Sequence, residues 1–367
     1  MEKVLILTCS TGEGHNSAAR AVETALKNKQ IACEIKDPVS FQSERMTKLV
    51  AGLYNDTIRK APRVFGAVYK MGDLYASSKL PSPVYWANAH YARALKEYIL
   101  SKGFDCVICT HLYGMEAMTA IRKDPEFKVP CYGVLTDYVS IPFLDETALT
   151  GFFVPTEDTK MHLVSKGTPE DSVVVSGIPV DAKFTDHPDR ETARAQLGIP
   201  ADKHLFLIMT GGAGCENMEK LCARMADSLT EQDMVIVFTG KNQELKNRLE
   251  ARFGQDGRLQ ALGFTDQVAV YMAAADVLLS KPGGLSSTEA AVANIPLVHI
   301  HGIPGCETYN ARFFADHGMS CNAENDEEAV AFARGLAYNH ETAEKMRAMQ
   351  RTYVNPRAAE RIVREVM

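Results

Sequence analysis

The sequence predicts an α/β protein built from two doubly wound domains, each a parallel sheet with helices on both faces. Three observations carry this expectation. At 367 residues the chain exceeds the length at which one hydrophobic core stops growing, so two domains of similar size are expected. Short apolar runs alternate with helical patterns along most of the chain, as buried parallel strands alternate with crossover helices. Glycine turns follow several of these runs and open helices, which is where open α/β sheets place ligands.

In the first half the apolar runs are Val4 to Thr8, Ala32 to Ile35, Asp105 to Thr110, Pro130 to Thr136 and Gly151 to Val154, with a helix expected from about Ser17 to Lys29. From Val173 the chain passes through VVVSGIPVDAKFTDHPDRETARAQLGIP, rich in turn formers and charge. The boundary is expected there, near Pro179, which gives a first domain over 1–179 and a second over 180–355.

The second half repeats the alternation. Strands are expected over Leu205 to Thr210, Met234 to Thr239 and Leu259 to Gly263, and helices over Asn217 to Leu229, Gln243 to Phe253 and Gln267 to Ala274. Two strand–turn–helix passages follow in succession. Ala275 to Leu279 leads into Lys281-Pro282-Gly283-Gly284, with Ser286-Ser287-Thr288-Glu289 read as the helix cap. Pro296 to Ile300 leads into Gly302-Ile303-Pro304-Gly305 and a helix opening near Glu307, with Asn310 behind it. Two helix N-termini at the ends of neighbouring parallel strands present unpaired N–H groups to one crevice, and glycines let a ligand approach the main chain. Such a crevice suits a phosphate. Glu289 and Glu307, read as first-turn residues, could accept hydrogen bonds from sugar hydroxyls or simply complement the helix dipole.

Composition excludes several classes. The net charge of −6 argues against general nucleic-acid binding. No apolar run reaches the roughly 18 residues of a membrane span and no signal peptide is evident, so a cytoplasmic location is expected. The nine cysteines are scattered, as reduced thiols are; Cys106 and Cys109 lie within a strand, where positions three apart face opposite ways. His299 and His301 alternate on one strand, but no carboxylate cluster accompanies them, and neither a metal nor a cofactor is expected.

Residues with proton chemistry gather at the ends of first-half strands. The first strand runs into Ser10-Thr11-Gly12-Glu13-Gly14-His15-Asn16-Ser17, where the helix dipole would disfavour a charged His15 and leave a base near neutral pH, unless the ring is simply hydrogen-bonded in a turn. Asp137 and His111 end two other strands and could assist His15 or act in capping and turns. In the second half Thr210-Gly211-Gly212-Ala213-Gly214 forms another close-approach turn, and Phe264 could lie against a nucleobase or pack in the core. Residues 57–70 carry four cations, two aromatics and no acid, a composition suited to adsorption on anionic lipid or to a solvated helix with one packed side.

TGEGH near the start, GFTD, KPGG-x-x-x-x-E and IPGCE-x-x-N together resemble the processive diacylglycerol glycosyltransferases and the monogalactosyldiacylglycerol synthases of plants. More distantly the chain is similar to the peptidoglycan lipid-intermediate transferase that uses UDP-N-acetylglucosamine. The resemblance covers nearly the whole chain in order. It implies the GT-B arrangement, two facing Rossmann-like domains with an interdomain cleft, and a C-terminal helix, here 356–367, crossing back to the first domain. It further implies metal-independent, inverting transfer of a hexose, glucose or galactose, from a UDP-sugar to a lipid hydroxyl by a peripheral membrane enzyme. On that pattern Gly211, Gly212, Phe264, Lys281, Gly283, Gly284 and Glu289 would hold UDP, Glu307 and Asn310 the sugar, and His15 would serve the acceptor hydroxyl; Asp137 is counted with it as a catalytic candidate on its place at a strand end. Gly14, Ser287 and Gly305 stand in the same turns and are counted with the binding residues. The family commonly has glycine where Glu13 stands and glutamine where Cys306 stands, which bears on the donor sugar and on the pKa of His15. Two other readings remain open on this scaffold, a UDP-sugar epimerase and a catalytically silent UDP-sugar sensor.

Overall fold

A computed structural model describes residues 1–9, 13–42, 81–209, 218–255, 257–302 and 305–367. The Gly211–Gly212 turn and the basic segment 57–70 therefore lie outside the described residues. The chain divides into two compact units, one of residues 1–181, 303–306 and 356–367, the other of 182–302 and 307–355.

Unit 1 is built on β1 (Lys3–Leu7), β2 (Ala32–Lys36), β3 (Cys106–Cys109), β4 (Cys131–Val134), β5 (Gly151–Val154) and β6 (Val173–Val175). These form one parallel sheet in the order β2-β1-β3-β4-β5-β6. The strand β6 departs from expectation: its three valines fall in the stretch read as a linker, yet they pair with Phe152 to Val154 as the sheet edge. Turn formers on both sides hide so short a strand from a pattern reading.

Helix α1 (Glu13–Asn28) covers one face with Ala18, Ala19, Ala21, Val22, Ala25 and Leu26, the i, i+3, i+4, i+7 stripe of an amphipathic helix. On α1 packs the C-terminal helix of the chain, Ala358–Val366, whose Ala359, Ile362 and Val363 join Val4, Ile6, Val22 and Phe153 in one core. The opposite face carries α3 (Ala92–Lys102) and α4 (Leu112–Ile121), packed against Leu5, Leu7, Val107 and Cys109, with α2 (Pro83–Ala89) lying on α4. Because β2 lies on one side of β1 and β3 on the other, the chain reverses direction across the sheet at β1 and β3. That switch point opens a crevice at the carboxyl ends of the two strands.

Unit 2 repeats the plan with β7 (His204–Met209), β8 (Asp233–Gly240), β9 (Leu259–Gly263), β10 (Val277–Ser280), β11 (Leu297–His299) and β12 (Cys321–Asn322), ordered β12-β11-β10-β7-β8-β9 and all parallel. Its switch point lies between β7 and β10, and between α4 and the glycine turns the chain forms α5 (Glu157–Ser165), α6 (Arg190–Leu197), α7 (Met218–Ser228), α8 (Gln243–Phe253) and α9 (Val268–Ala274). The sheet is buried under a large apolar cluster that includes Phe206, Ile208, Val235, Val277 and Leu279. Buried Arg194 ties together the starts of β7 and β10: it donates to the carbonyls of Ala274 and Lys203 and to Asp276, whose carboxylate also accepts from the backbone N–H of Leu205.

Candidate active site

In unit 1 the switch point brings three predicted residues together. Helix α1 begins at Glu13, earlier than the expected Ser17, so Gly14 and His15 stand in its first turn. The imidazole of His15 is held from the neighbouring strands: its Nδ1 lies 2.9 Å from the Thr110 carbonyl after β3 and 2.9 Å from the Thr136 hydroxyl after β4. In return the Thr110 hydroxyl donates to the His15 carbonyl at 3.1 Å. A carbonyl only accepts, so Nδ1 must carry the proton, and Nε2 is left with its lone pair. No described residue hydrogen-bonds to Nε2. Neither threonine was picked out from the sequence; only their places at the ends of apolar runs point to them.

Burial lowers the pKa of His15 from its ordinary value, opposed by the nearby Asp137 carboxylate and the Thr110 bond. The direction is the expected one, but the cause is burial where the sequence argument gave the dipole. Glu13, which could raise that pKa or recognise a different acceptor, sits exposed by Arg20 at 3.8 Å, and the charge that acts on His15 is that of Asp137.

Of the roles open to His111, the structure shows capping. It is the N-cap of α4, extended at φ −138°, and its Nδ1 accepts from Tyr113 N at 3.2 Å. Its ring stands edge-on to His15 at 4.6 Å and to Tyr113 at 4.5 Å. Burial, then the neighbouring His15, hold its pKa well below the ordinary value, so His111 forms a neutral wall beside His15.

In unit 2 the turn after β10 meets Gly302, where the second glycine turn begins. A Cβ built on Gly302 would lie 2.8 Å from the Pro282 ring and 3.1 Å from Glu307 Cβ, so only glycine lets the turns approach this closely. The amide of Asn310 spans the same gap, donating to the Pro282 carbonyl at 3.1 Å. Helix α10 (Gly284–Val292) takes Gly283 as N-cap, without a side-chain cap. Its first intrahelical bond runs from Ser287 N to the Gly283 carbonyl, so the amides of Gly284, Leu285 and Ser286 form the orphan first turn. Helix α11 (Cys306–Asp316) follows Gly305, held at φ +119°, and has the half-buried Glu307 in its first turn. Lys281 and Gly283 are half-buried, and Phe264, just past β9, is 76 % exposed, which excludes the core-packing alternative.

Three expectations are corrected. The helix starts at Gly284, so Ser286 to Thr288 lie within it and Glu289 falls in the second turn, because glycine alone serves as N-cap here. Ser287 is fully buried and its hydroxyl meets His299 Nε2 at 2.9 Å, which makes it part of the scaffold behind the turn. Asn310 is likewise fully buried, and its amide holds the Pro282 carbonyl. His299 is the hub of that scaffold. Its Nδ1 faces Asn322 Oδ1 and Ser320 Oγ at 3.3 and 3.1 Å, and burial pulls its pKa down to about 4. His301, expected on the same strand face, is exposed beyond β11.

Comparison with known proteins places this geometry. The family described as "Monogalactosyldiacylglycerol (MGDG) synthase" matches residues 15–180, and that described as "UDP-N-acetylglucosamine 2-epimerase" matches 148–367. Across its whole length the chain is 25% identical to a processive diacylglycerol beta-glucosyltransferase of Bacillus pumilus, covering 100% of this chain and 94% of the relative. The chain is thus similar along its whole length to the diacylglycerol glycosyltransferases, and through residues 148–367, more than half of it, it belongs to the epimerase family. Among solved structures, MurG of Acinetobacter baumannii superposes with a TM-score of 0.65 at 18% identity, covering 100% of this chain and 99% of that one. UDP-GlcNAc 2-epimerase of Neisseria meningitidis bound to UDP-GlcNAc gives 0.64 at 16%, covering 99% of each chain. At these identities the likeness establishes the GT-B class of fold, shared by transferases and epimerases.

Proposed function

We propose that this protein transfers a hexose, glucose or galactose, from a UDP-sugar to the free hydroxyl of diacylglycerol or a related lipid, with inversion and without a metal ion. The observation that carries the reading is the pinned tautomer of His15 at the β1/β3 switch point. Nε2 takes the proton of the acceptor hydroxyl as its oxygen bonds to the anomeric carbon. The bond from that carbon to the diphosphate oxygen breaks, and UDP leaves with the electron pair. The new imidazolium is steadied by Asp137, and its Nδ1–H stays on the Thr110 carbonyl.

The departing diphosphate is met by the first-turn amides of α10 and its dipole, with Lys281 beside them. Gly283 supports this placement. Its φ of −70° is open to any residue and a Cβ there meets no atom within 4 Å, so neither strain nor packing demands glycine, whereas a ligand lying on the main chain does. Phe264 offers a face to the uracil, Glu289 serves the ribose and Glu307 the hexose. The acceptor reading follows the relatives, whose names give diacylglycerol as substrate. Adsorption to the inner face of the membrane is proposed through residues 57–70; sedimentation with anionic but not neutral vesicles tests it. No helix among the described residues is long and apolar enough to cross a membrane.

Replacing His15 with alanine is expected to lower kcat by about 10² to 10⁴-fold while UDP affinity holds. Unchanged turnover would remove His15 from the reaction. The competing reading, a UDP-sugar epimerase, is favoured by the match over residues 148–367. An altered UDP-sugar formed with no lipid present would establish it.

A further inference from the structure

Behind the His15 wall lies a carboxyl shut away from solvent. Glu116, one turn along α4 from Tyr113, is 0 % exposed. Asn88 Nδ2 donates to its Oε2 at 2.5 Å, and Asn88 is itself held by the Tyr91 hydroxyl at 2.5 Å and the Val84 carbonyl at 2.9 Å. No described residue offers a donor to Oε1. What does face Glu116 is a second carboxylate, Glu146, in the 3-10 turn Leu144–Glu146. Glu146 in turn accepts from Ser82 N at 2.8 Å and Ser82 Oγ at 2.5 Å.

Two ionised carboxylates do not face each other in a protein interior, whereas one proton between them satisfies both and turns the orphan oxygen into a donor. Burial above all, then the charge of Glu146, raise the pKa of Glu116 to about 9 against the opposing Asn88 bond. The other titratable groups facing Glu116 are Tyr91 and Tyr113. Burial raises the first well above its ordinary value and the second to about 12, so both keep their protons through the range in which Glu116 titrates.

The pair grips α2 at both ends. Ser82 is the N-cap of that helix, its hydroxyl also accepting from Tyr85 N at 3.0 Å, and Asn88 lies in its last turn. We propose that Glu116, sharing a proton with Glu146, is a positioning residue that clasps α2 to α4, and that the wall formed by His111 and Tyr113 keeps its place beside His15 only while that proton is present.

The chain supplies its own probe, because its single tryptophan, Trp86, sits on α2 between the two gripped ends. Emission from Trp86 in the intact protein, followed from neutral to alkaline pH, is expected to show a transition centred at about 9. Far-UV circular dichroism should stay constant across it. In Glu116→Gln, which keeps the shape and the neutral form, that transition should vanish, while later changes from tyrosine ionisation remain in both proteins. In Glu146→Gln the midpoint should fall, because the facing charge is gone. The activity arm rests on the transferase reading: kcat of the wild type falls with the same midpoint while KM for the sugar nucleotide holds, and Glu116→Gln stays flat. Fluorescence tests the clasp whether or not that reading stands. A silent Trp86 in the wild type, or identical titrations in wild type and Glu116→Gln, overturns the proposal.

Discussion

A histidine becomes a useful base when something fixes which nitrogen holds the proton, and for His15 the Thr110 carbonyl does this. Since burial lowers its pKa, kcat/KM is expected to rise with pH through a midpoint below 6.5, the ordinary histidine value. An acid limb centred above 6.5 would contradict the assignment. At Glu116 the sign is reversed. In the unfolded chain it loses its proton above 4.5 and in the folded chain only near 9, so its burial costs progressively more stability as pH rises between those values. Glu116→Gln should therefore be more stable than wild type at pH 7 by up to about 3 kcal/mol in urea unfolding, taking 1.36 kcal/mol per pKa unit. A loss of that size would contradict it. His15 was legible in the sequence because glycines and a following apolar period mark the end of a strand. Its partners were not, since a backbone carbonyl leaves no trace in residue identity and the Thr136 hydroxyl arrives only through the order of strands in the sheet.

Among the elements, α10 and the turn before it separate two uses of glycine. Gly302→Ala drives a Cβ onto the Pro282 ring at 2.8 Å, so its expected effect is a loss of stability of about 1 to 3 kcal/mol. Gly283→Ala meets no protein atom and should unfold like wild type, yet bind UDP at least tenfold more weakly by calorimetry. Equal UDP affinity would remove the α10 terminus from the nucleotide site. The two glycines are indistinguishable in sequence, because what separates them is the neighbouring turn. The same holds for Ser287, whose residue type reads as a cap but whose hydroxyl belongs to the buried network of His299, Ser320 and Asn322. Phe264 could equally have gone into the core or out to solvent, and burial alone decided it.

At the scale of the whole molecule, two all-parallel sheets follow from apolar runs buried on both faces, and periodicity made most of them visible. The exceptions are short: β6 with three residues, and β12 with two. His15, His111 and His299 are all held neutral by burial. Each binds a proton in the unfolded chain below 6.5, so unfolding takes up protons there and stability should fall as pH drops below that value. An unfolding free energy flat between pH 7 and 5 would contradict this, for which about 1.36 kcal/mol per pH unit and proton is expected. The central proposal is that hexose transfer to a lipid hydroxyl without a metal operates in this chain. The most direct measurement incubates the purified protein with UDP-glucose or UDP-galactose and diacylglycerol vesicles in the presence of a chelator, and reads extracted lipids and nucleotides by mass spectrometry. The account predicts hexosyl-diacylglycerol and UDP in equal amounts; an isomerised UDP-sugar, or unchanged donor and lipid, would contradict it.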